Sequence, residues 1–369
     1  MTDLQNRLIE KAKGILLSNI YEPNQYPWGS WRLMSPCKKH FEGVWNWDSA
    51  FHAVGMLYID EELAKEQILG FLQFQKEDGL LPDVIFESGR IEARYSKPPV
   101  MADCAWRVYE KTKDLEFIRS IYPALVKNEN FWVTQRCDDG LFFFDSSWDG
   151  CNTEEDHRVL VGWESGMDNS PRWDESPEHY WAIDANSYMV SMYRALASMA
   201  NVLGLDSNIW TEKEKALIEN IETRLWDEEN QVYTDKHRKT GAYSKVYTPC
   251  SFLPLYVGFA PKDRAEAMHR IALKHFMPGM PSVSYDDPAY SEDYWRGLCW
   301  LNIAYFAAKG LKDYGFTETA DTIRDTILNW VDQDSDCIHE NYESLKGGPR
   351  GAARFCWSCT FVLEFIYNF

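Results

Sequence analysis

Trp163-Glu164-Ser165-Gly166-Met167-Asp168-Asn169-Ser170-Pro171-Arg172-Trp173-Asp174 packs three carboxylates, one arginine and two indoles into one short segment. Its Gly and Pro predict a loop. The plain account of such a segment is a solvated acidic turn with Asp168 as an Asx cap. The flanking Trp163 argues for more, because an indole face covers sugar C–H groups while carboxylates such as Glu164 take hydroxyls, and Arg172 reads as a substrate ligand beside them. A second segment, 338–348, supplies Glu340 and Glu343 just before the last apolar stretch, and alone it reads as a charged connecting loop. Together the two segments offer a known chemistry. Glycoside cleavage needs one protonated carboxyl to donate to the leaving oxygen and one ionised carboxylate, either to attack carbon or to activate water. Asp168 and Glu340 could share a bond only if the chain closes on itself, and the residues alone leave open which does what.

Three aromatic clusters resemble pocket lining. Val-Trp-Asn-Trp-Asp-Ser-Ala-Phe-His at 44–52 contributes Trp45, Trp47, Asp48 and His52. Tyr-Trp-Arg-Gly at 294–297 contributes Trp295 and Arg296, and Phe-Cys-Trp-Ser at 355–358 contributes Trp357. Asp48 and Arg296 read either as ligands of sugar hydroxyls or carboxylates or as a buried ion pair or helix cap. His52 reads as a pocket residue or a satisfied core histidine. Arg90, Arg94 and Lys97 cluster in the 77–99 loop. They could hold a carboxylate such as glycerate, or pair with Asp83, Glu87 and Glu92 beside them.

The elements that must position these residues are helical. Leu4, Leu8, Ala12 and Ile15 stripe one face, as do Leu217, Ile221 and Leu225 behind an expected capping box of Thr211 and Glu214. Other stretches, such as 180–203, 294–308 and 355–365, are apolar nearly all round and must be buried on most sides. Periodicity predicts twelve helices, near 3–18, 47–58, 61–76, 100–112, 115–136, 181–203, 211–225, 251–258, 261–274, 291–312, 315–332 and 352–368. Amphipathic helices alternating with all-apolar ones suit an outer ring around an inner ring. The expected architecture is therefore an all-α (α/α)6 barrel. No linker composition divides the chain, so residues 1–369 are expected to form one catalytic domain. Its long loops, 19–46, 77–99, 137–179, 227–250 and 275–290, would carry the site.

Composition excludes other classes. The 369 residues carry 38 basic and 57 acidic side chains, a net charge of −19, which disfavours nucleic acid and anionic membranes. No run is apolar enough to span a bilayer, and the N-terminal stretch lacks the pattern of a signal peptide. Nine scattered cysteines, with one C-x-x-C (Cys356, Cys359) and no matching second pair, predict reduced thiols in the cytoplasm and no metal site. No Walker A, G-x-S-x-G, G-x-G-x-x-G or H-E-x-x-H motif occurs.

Taken in order, Trp45-Asn46-Trp47-Asp48-Ser49 with Phe51-His52, Pro98-Pro99-Val100, Glu164 through Arg172, Asp184-Ala185-Asn186, Tyr294 through Gly297, Glu340-Asn341-Tyr342 and Phe355 through Ser358 resemble glycoside hydrolase family 63, which shares a clan with the trehalases of family 37. The resemblance spans roughly residues 40–365. It implies an (α/α)6 barrel and an inverting α-glycosidase with Asp168 as general acid and Glu340 as general base. It departs at Lys97, where many relatives carry Gln before the Pro-Pro pair. The length is similar to that of the compact bacterial members, including hydrolases of mannosylglycerate and glucosylglycerate. The expected activity is hydrolysis of small α-glucosides or α-mannosides. Two carboxylates and water suffice for it, so no cofactor is expected, and the partner is a small carbohydrate. Rival readings are a catalytically silent sugar-binding barrel, a sugar epimerase or isomerase using histidine pairs, and a helical protein scaffold.

Overall fold

Helices that are apolar all round can exist only with neighbours on every side, and this requirement organises the molecule. The computed structural model describes residues 1–145, 153–175, 179–334 and 337–369. Its helices are α1 (Asp3–Ser18), α2 (Asn46–Met56), α3 (Glu61–Leu72), α4 (Met101–Thr112), α5 (Leu115–Gln135), α6 (Glu154–Ser165), α7 (Ile183–Leu203), α8 (Asn208–Arg224), α9 (Leu253–Val257), α10 (Lys262–His275), α11 (Leu301–Asp313), α12 (Thr317–Gln333) and α13 (Cys356–Tyr367). Six of them close a ring: α2 packs on α4, α4 on α7, α7 on α9, α9 on α11, α11 on α13, and α13 back on α2. All of α2 is buried, as is most of α7, α11 and α13. Outside them, α3 covers α2, α5 and α8 cover α7, α12 covers α11, and α1 covers α13. The outer helices are amphipathic; α8 buries only Trp210, Leu217 and Ile221. The (α/α)6 barrel is thus the consequence of alternating all-apolar and one-faced helices.

Ring closure depends on a close approach. A Cβ on Gly55 of α2 would lie 2.3 Å from the Thr360 hydroxyl of α13, so a side chain there would force these helices apart. Side-chain oxygens start several helices: Thr2 with Gln5 forms a capping box on α1, and Asp60 and Asp114 accept backbone N–H groups at the heads of α3 and α5.

Several expectations need correction. The 137–179 stretch is not all loop: Thr153, through a capping box with Asp156, starts α6 there, while 146–152 and 176–178 lie outside the described residues. Thr211 and Glu214 do not cap a helix. α8 already begins at Asn208, and Glu214 pairs with Arg194 at 2.5 Å. The helix expected from 291 begins at Leu301, because Tyr294 takes a left-handed backbone (φ 51°) and Tyr294–Arg296 form only a 3-10 turn. The 352 start moves to Cys356, since Pro349–Ala353 is a strand pairing with His339–Tyr342. A small antiparallel sheet, Gly43–Trp45 with Val84–Phe86 and Ile91–Glu92, joins the 19–46 and 77–99 loops.

Candidate active site

The heads of the inner helices converge on one rim. Trp47 and Asp48 sit in the first turn of α2, Trp300 caps α11, and Trp357 lies in the first turn of α13. With Trp45, Lys97, Asp168, Tyr294, Trp295, Glu340 and Phe355 they line a cavity of about 410 Å³. Its wall is a connected set of rings: Trp295 stacks on Trp300 at 3.7 Å, and Trp47 meets Trp357 edge-on at 4.9 Å. Such a wall offers apolar faces for sugar C–H groups.

Each carboxylate is delivered by a different device. Asp48 rides on α2. Asp168 follows α6, which ends at Gly166 with φ 72°; a Cβ there would lie 2.5 Å from Trp47, so the turn can pass beneath the indole only as glycine. Asp168 is half-buried, and its carboxylate has no hydrogen-bond partner among the described residues. Glu340 stands on the His339–Tyr342 strand. It accepts from the Tyr294 hydroxyl at 2.9 Å and from the Ala352 backbone N–H at 2.9 Å.

The electrostatics separate these groups. Burial pushes the Asp168 carboxyl up to about 7, with Lys97 opposing and Asp83 and Glu340 adding to the rise. Asp48 is pushed up to about 8, again chiefly by burial, against Lys97. Burial also raises Glu340, but its two hydrogen-bond donors favour the ionised form. For Lys97, burial alone would lower the ammonium. The carboxylates of Asp83, Asp168 and Asp48 outweigh it and hold the amine above its usual value. The cavity therefore joins carboxyls that carry protons near neutral pH to a fixed cation, which is the environment of a proton donor.

Of the residues expected from the sequence, Trp45, Trp47, Asp48, Lys97, Asp168, Trp295, Glu340 and Trp357 line this cavity. The others do not. His52 is fully buried, and desolvation pushes its imidazole down to about 3, which removes it as an acid or base at neutral pH. Glu164 takes Arg136 at 2.9 Å and the N–H groups of Ser96 and Asp145. Arg172 forks onto Asp184 and Asp235 at 2.8 Å each. Arg296 pairs with Asp174 at 2.7 Å. Trp163, 37% exposed, lines a neighbouring vestibule of about 660 Å³ together with Arg90, Arg94, Tyr95, Lys97 and Asp168. In it Arg94 pairs with Glu92 at 2.5 Å and Lys97 with Asp83 at 3.4 Å. Arg90 lies over the Phe86 ring, with Glu92 3.9 Å away. Sequence reasoning placed Tyr294 only within its aromatic cluster and missed its hydroxyl bond to Glu340. Trp300 was missed as a cavity residue; its signal was an aromatic immediately before an all-apolar helix.

The eight described cysteines are free. Among the described residues no cluster of His, Cys, Asp and Glu could hold a metal ion. No described helix is long and apolar enough to cross a membrane.

A closed six-hairpin ring with aromatics and carboxylates at one mouth defines the class of (α/α)6-barrel glycoside hydrolases. The model of the mannosylglycerate hydrolase MGH1-like glycoside hydrolase domain matches residues 42–358, and the chain belongs to that family. A mannosylglycerate hydrolase of Thermus thermophilus is 26% identical over 86% of this chain and 93% of its own. A glucosylglycerate hydrolase of Mycolicibacterium hassiacum is 22% identical over 88% and 91%. The crystal structure of the family 63 mannosylglycerate hydrolase from Thermus thermophilus in complex with Tris and D-glycerate superposes with a TM-score of 0.83, at 24% identity, over 97% of this chain and 100% of that one.

Proposed function

We propose that this glycoside hydrolase is an inverting α-glycosidase of small glycosylglycerate-type substrates, an α-mannoside or α-glucoside, with Asp168 as general acid and Glu340 as general base. The observation that carries the assignment is the unequal surroundings of the two carboxyls. Asp168 has no hydrogen-bond partner among the described residues and is pushed up to about 7, so it carries a proton to give. Glu340 is held by two donors that favour its anion. Asp168 gives its proton to the glycosidic oxygen as the bond from that oxygen to the anomeric carbon breaks. Glu340 takes a proton from water as the water oxygen bonds to the same carbon from the opposite face. The tryptophan wall holds the glycone, and Asp48 is placed to take its hydroxyls.

The aglycone would leave through the vestibule beside Asp168. There Arg90, the cation with the most distant acidic partner, is the group we assign to an aglycone carboxylate. The relatives that act on mannosylglycerate and glucosylglycerate support this substrate type. The reduced thiols and the acidic charge support a cytoplasmic enzyme without nucleic-acid partners, and a single catalytic domain fits the one closed ring. A hydrolysis screen over α-mannosylglycerate, α-glucosylglycerate and neutral α-linked disaccharides, read by released sugar, tests this reading. Release from the glycerates is expected, and turnover of neutral disaccharides alone would overturn the carboxylate assignment.

A further inference from the structure

The proposed acid and base must act on one bond, yet the segments that carry Asp168 and Glu340 share no hydrogen bond among the described residues. A third segment, the turn Asp293–Arg296, joins them. It holds the acid side at Asn169, the residue after Asp168. The Trp295 backbone N–H donates to the Asn169 side-chain oxygen at 2.8 Å, and the Asn169 amide donates to Asp293 at 3.2 Å. Arg296 donates to the Asn169 backbone carbonyl at 3.2 Å while it grips Asp174 at 2.7 Å. The same turn holds the base side through Tyr294, whose hydroxyl donates to Glu340 at 2.9 Å.

The turn is itself fixed. Tyr294 has φ 51°, a left-handed backbone that a tyrosine keeps only where its surroundings over-determine it. The Arg296 N–H donates to the Asp293 carbonyl at 2.9 Å, the Ser291 N–H to the Arg296 carbonyl at 2.9 Å, and the Trp300 indole to the Tyr294 carbonyl at 3.0 Å. Trp295 is buried and stacks on Trp300 at 3.7 Å. Two successive residues therefore reach opposite sides of the cavity: Tyr294 by its hydroxyl to the base, Trp295 by its N–H to the acid loop.

Asp168 depends on such support because its carboxyl has no hydrogen-bond partner among the described residues; its backbone alone places it. On one side that backbone lies directly on α6, where a Cβ on Gly162 would collide with the Asp168 carbonyl oxygen. On the other side the next residue is the one tied to the turn. A general acid must stand within hydrogen-bond reach of the oxygen it protonates, and a misplacement of about 1 Å costs up to about 10²-fold in rate.

We propose that Asn169 is a positioning residue: through it the Asp293–Arg296 turn holds the Asp168 carboxyl at the leaving oxygen, while Tyr294 of the same turn fixes Glu340. This rests on the acid and base assignments made above.

Two leaving groups test it. A glycosylglycerate needs a proton on its leaving oxygen, whereas fluoride departs from the α-glycosyl fluoride of the same sugar with little such help. Asn169→Ala should lower kcat on the glycerate roughly 10- to 100-fold with KM little changed, and kcat on the fluoride less than about threefold. Asp168→Asn should show the same selectivity more strongly. Glu340→Gln should lose both substrates, because water must be activated whichever group leaves. Asp293→Ala removes one exposed acceptor and should cost about threefold on the glycerate alone. No loss in Asn169→Ala, or equal loss on both substrates, would overturn the positioning role while a selective Asp168→Asn leaves the acid assignment standing. Equal loss on both substrates in Asp168→Asn would overturn the acid assignment itself, and this proposal with it. Should Asn169→Ala fail to fold, Asp293→Ala decides: a loss confined to the glycerate supports the bridge, and no loss or an equal loss overturns it.

Discussion

Behind the rim and on the cavity wall, the same motif residues live under different rules. Within one segment, Glu164 and Arg172 face inward and are saturated: Glu164 by Arg136 and two backbone N–H groups, Arg172 by four hydrogen bonds to Asp184 and Asp235. Asp168, between them in the chain, has no hydrogen-bond partner among the described residues. The inner layer spends its charges on fixing the loop, and the fixed loop holds one carboxyl in a place where protonation costs little. A segment dense in charged residues thus divides into groups that hold the loop and the one group we propose to react, and a partner for every polar atom marks the former.

The comparison breaks most sharply at Asp168. Asp168→Asn keeps the volume and removes the proton donor. Its kcat on an unactivated glycoside should fall by roughly 10²–10⁴, with an unchanged melting temperature; near-normal turnover would remove Asp168 from the chemistry. The opposite pattern is expected behind the rim. Arg172→Met leaves two buried carboxylates without their cation, and breaking such a pair costs about 3–5 kcal/mol, so chemical denaturation should show a large loss of stability. A smaller effect concerns pH. With Asp168 as the acid and Glu340 as the base, as proposed, activity requires Glu340 ionised and Asp168 protonated, so kcat/KM should fall on the alkaline side near 7, where Asp168 loses its proton. Tyr294→Phe removes a donor that favours the Glu340 anion. The acidic limb should then move upward by roughly one unit while the alkaline limb stays. An unmoved acidic limb would mean that Tyr294 does not act through Glu340. Smallest of all, Arg90→Ala should raise KM for glycerate-bearing glycosides a few-fold and leave neutral substrates unaffected; Arg90 is largely exposed, with its nearest acidic oxygen at 3.9 Å.

The ring was legible because burial writes itself into sequence. Helices walled on all sides, such as α2 and α13, must be apolar on all sides, and their partners are not. α6 was missed because its residues Glu154–Ser165 carry a weak apolar stripe; the readable signal was Thr153 three residues before Asp156. The capping pattern of Thr211 and Glu214 misled because Trp210 was already inside α8, buried beneath it. The start of α11 was misplaced because residues 294–300 are aromatic for the sake of the cavity, and Tyr294 turns left-handed there. In the site, Asp168 and Glu340 could be named from local composition and the family resemblance. Their unequal company could not, since it is made by residues far away in the chain: Tyr294 for Glu340, and for Asp168 the lack of a hydrogen-bond partner among the described residues. Arg172, Arg296 and Glu164 read as ligands for the same reason. A sequence shows a charge but not the distant partner that consumes it.

The proposed division of labour between Asp168 and Glu340 has one direct readout, the configuration of the sugar when it is first released. Proton NMR recorded early in hydrolysis of an α-glycoside, before mutarotation, should show the β-anomer, because water activated by Glu340 attacks from the face opposite the bond that Asp168 protonates. The α-anomer as first product would mean that a carboxylate attacks carbon itself, and would contradict the account.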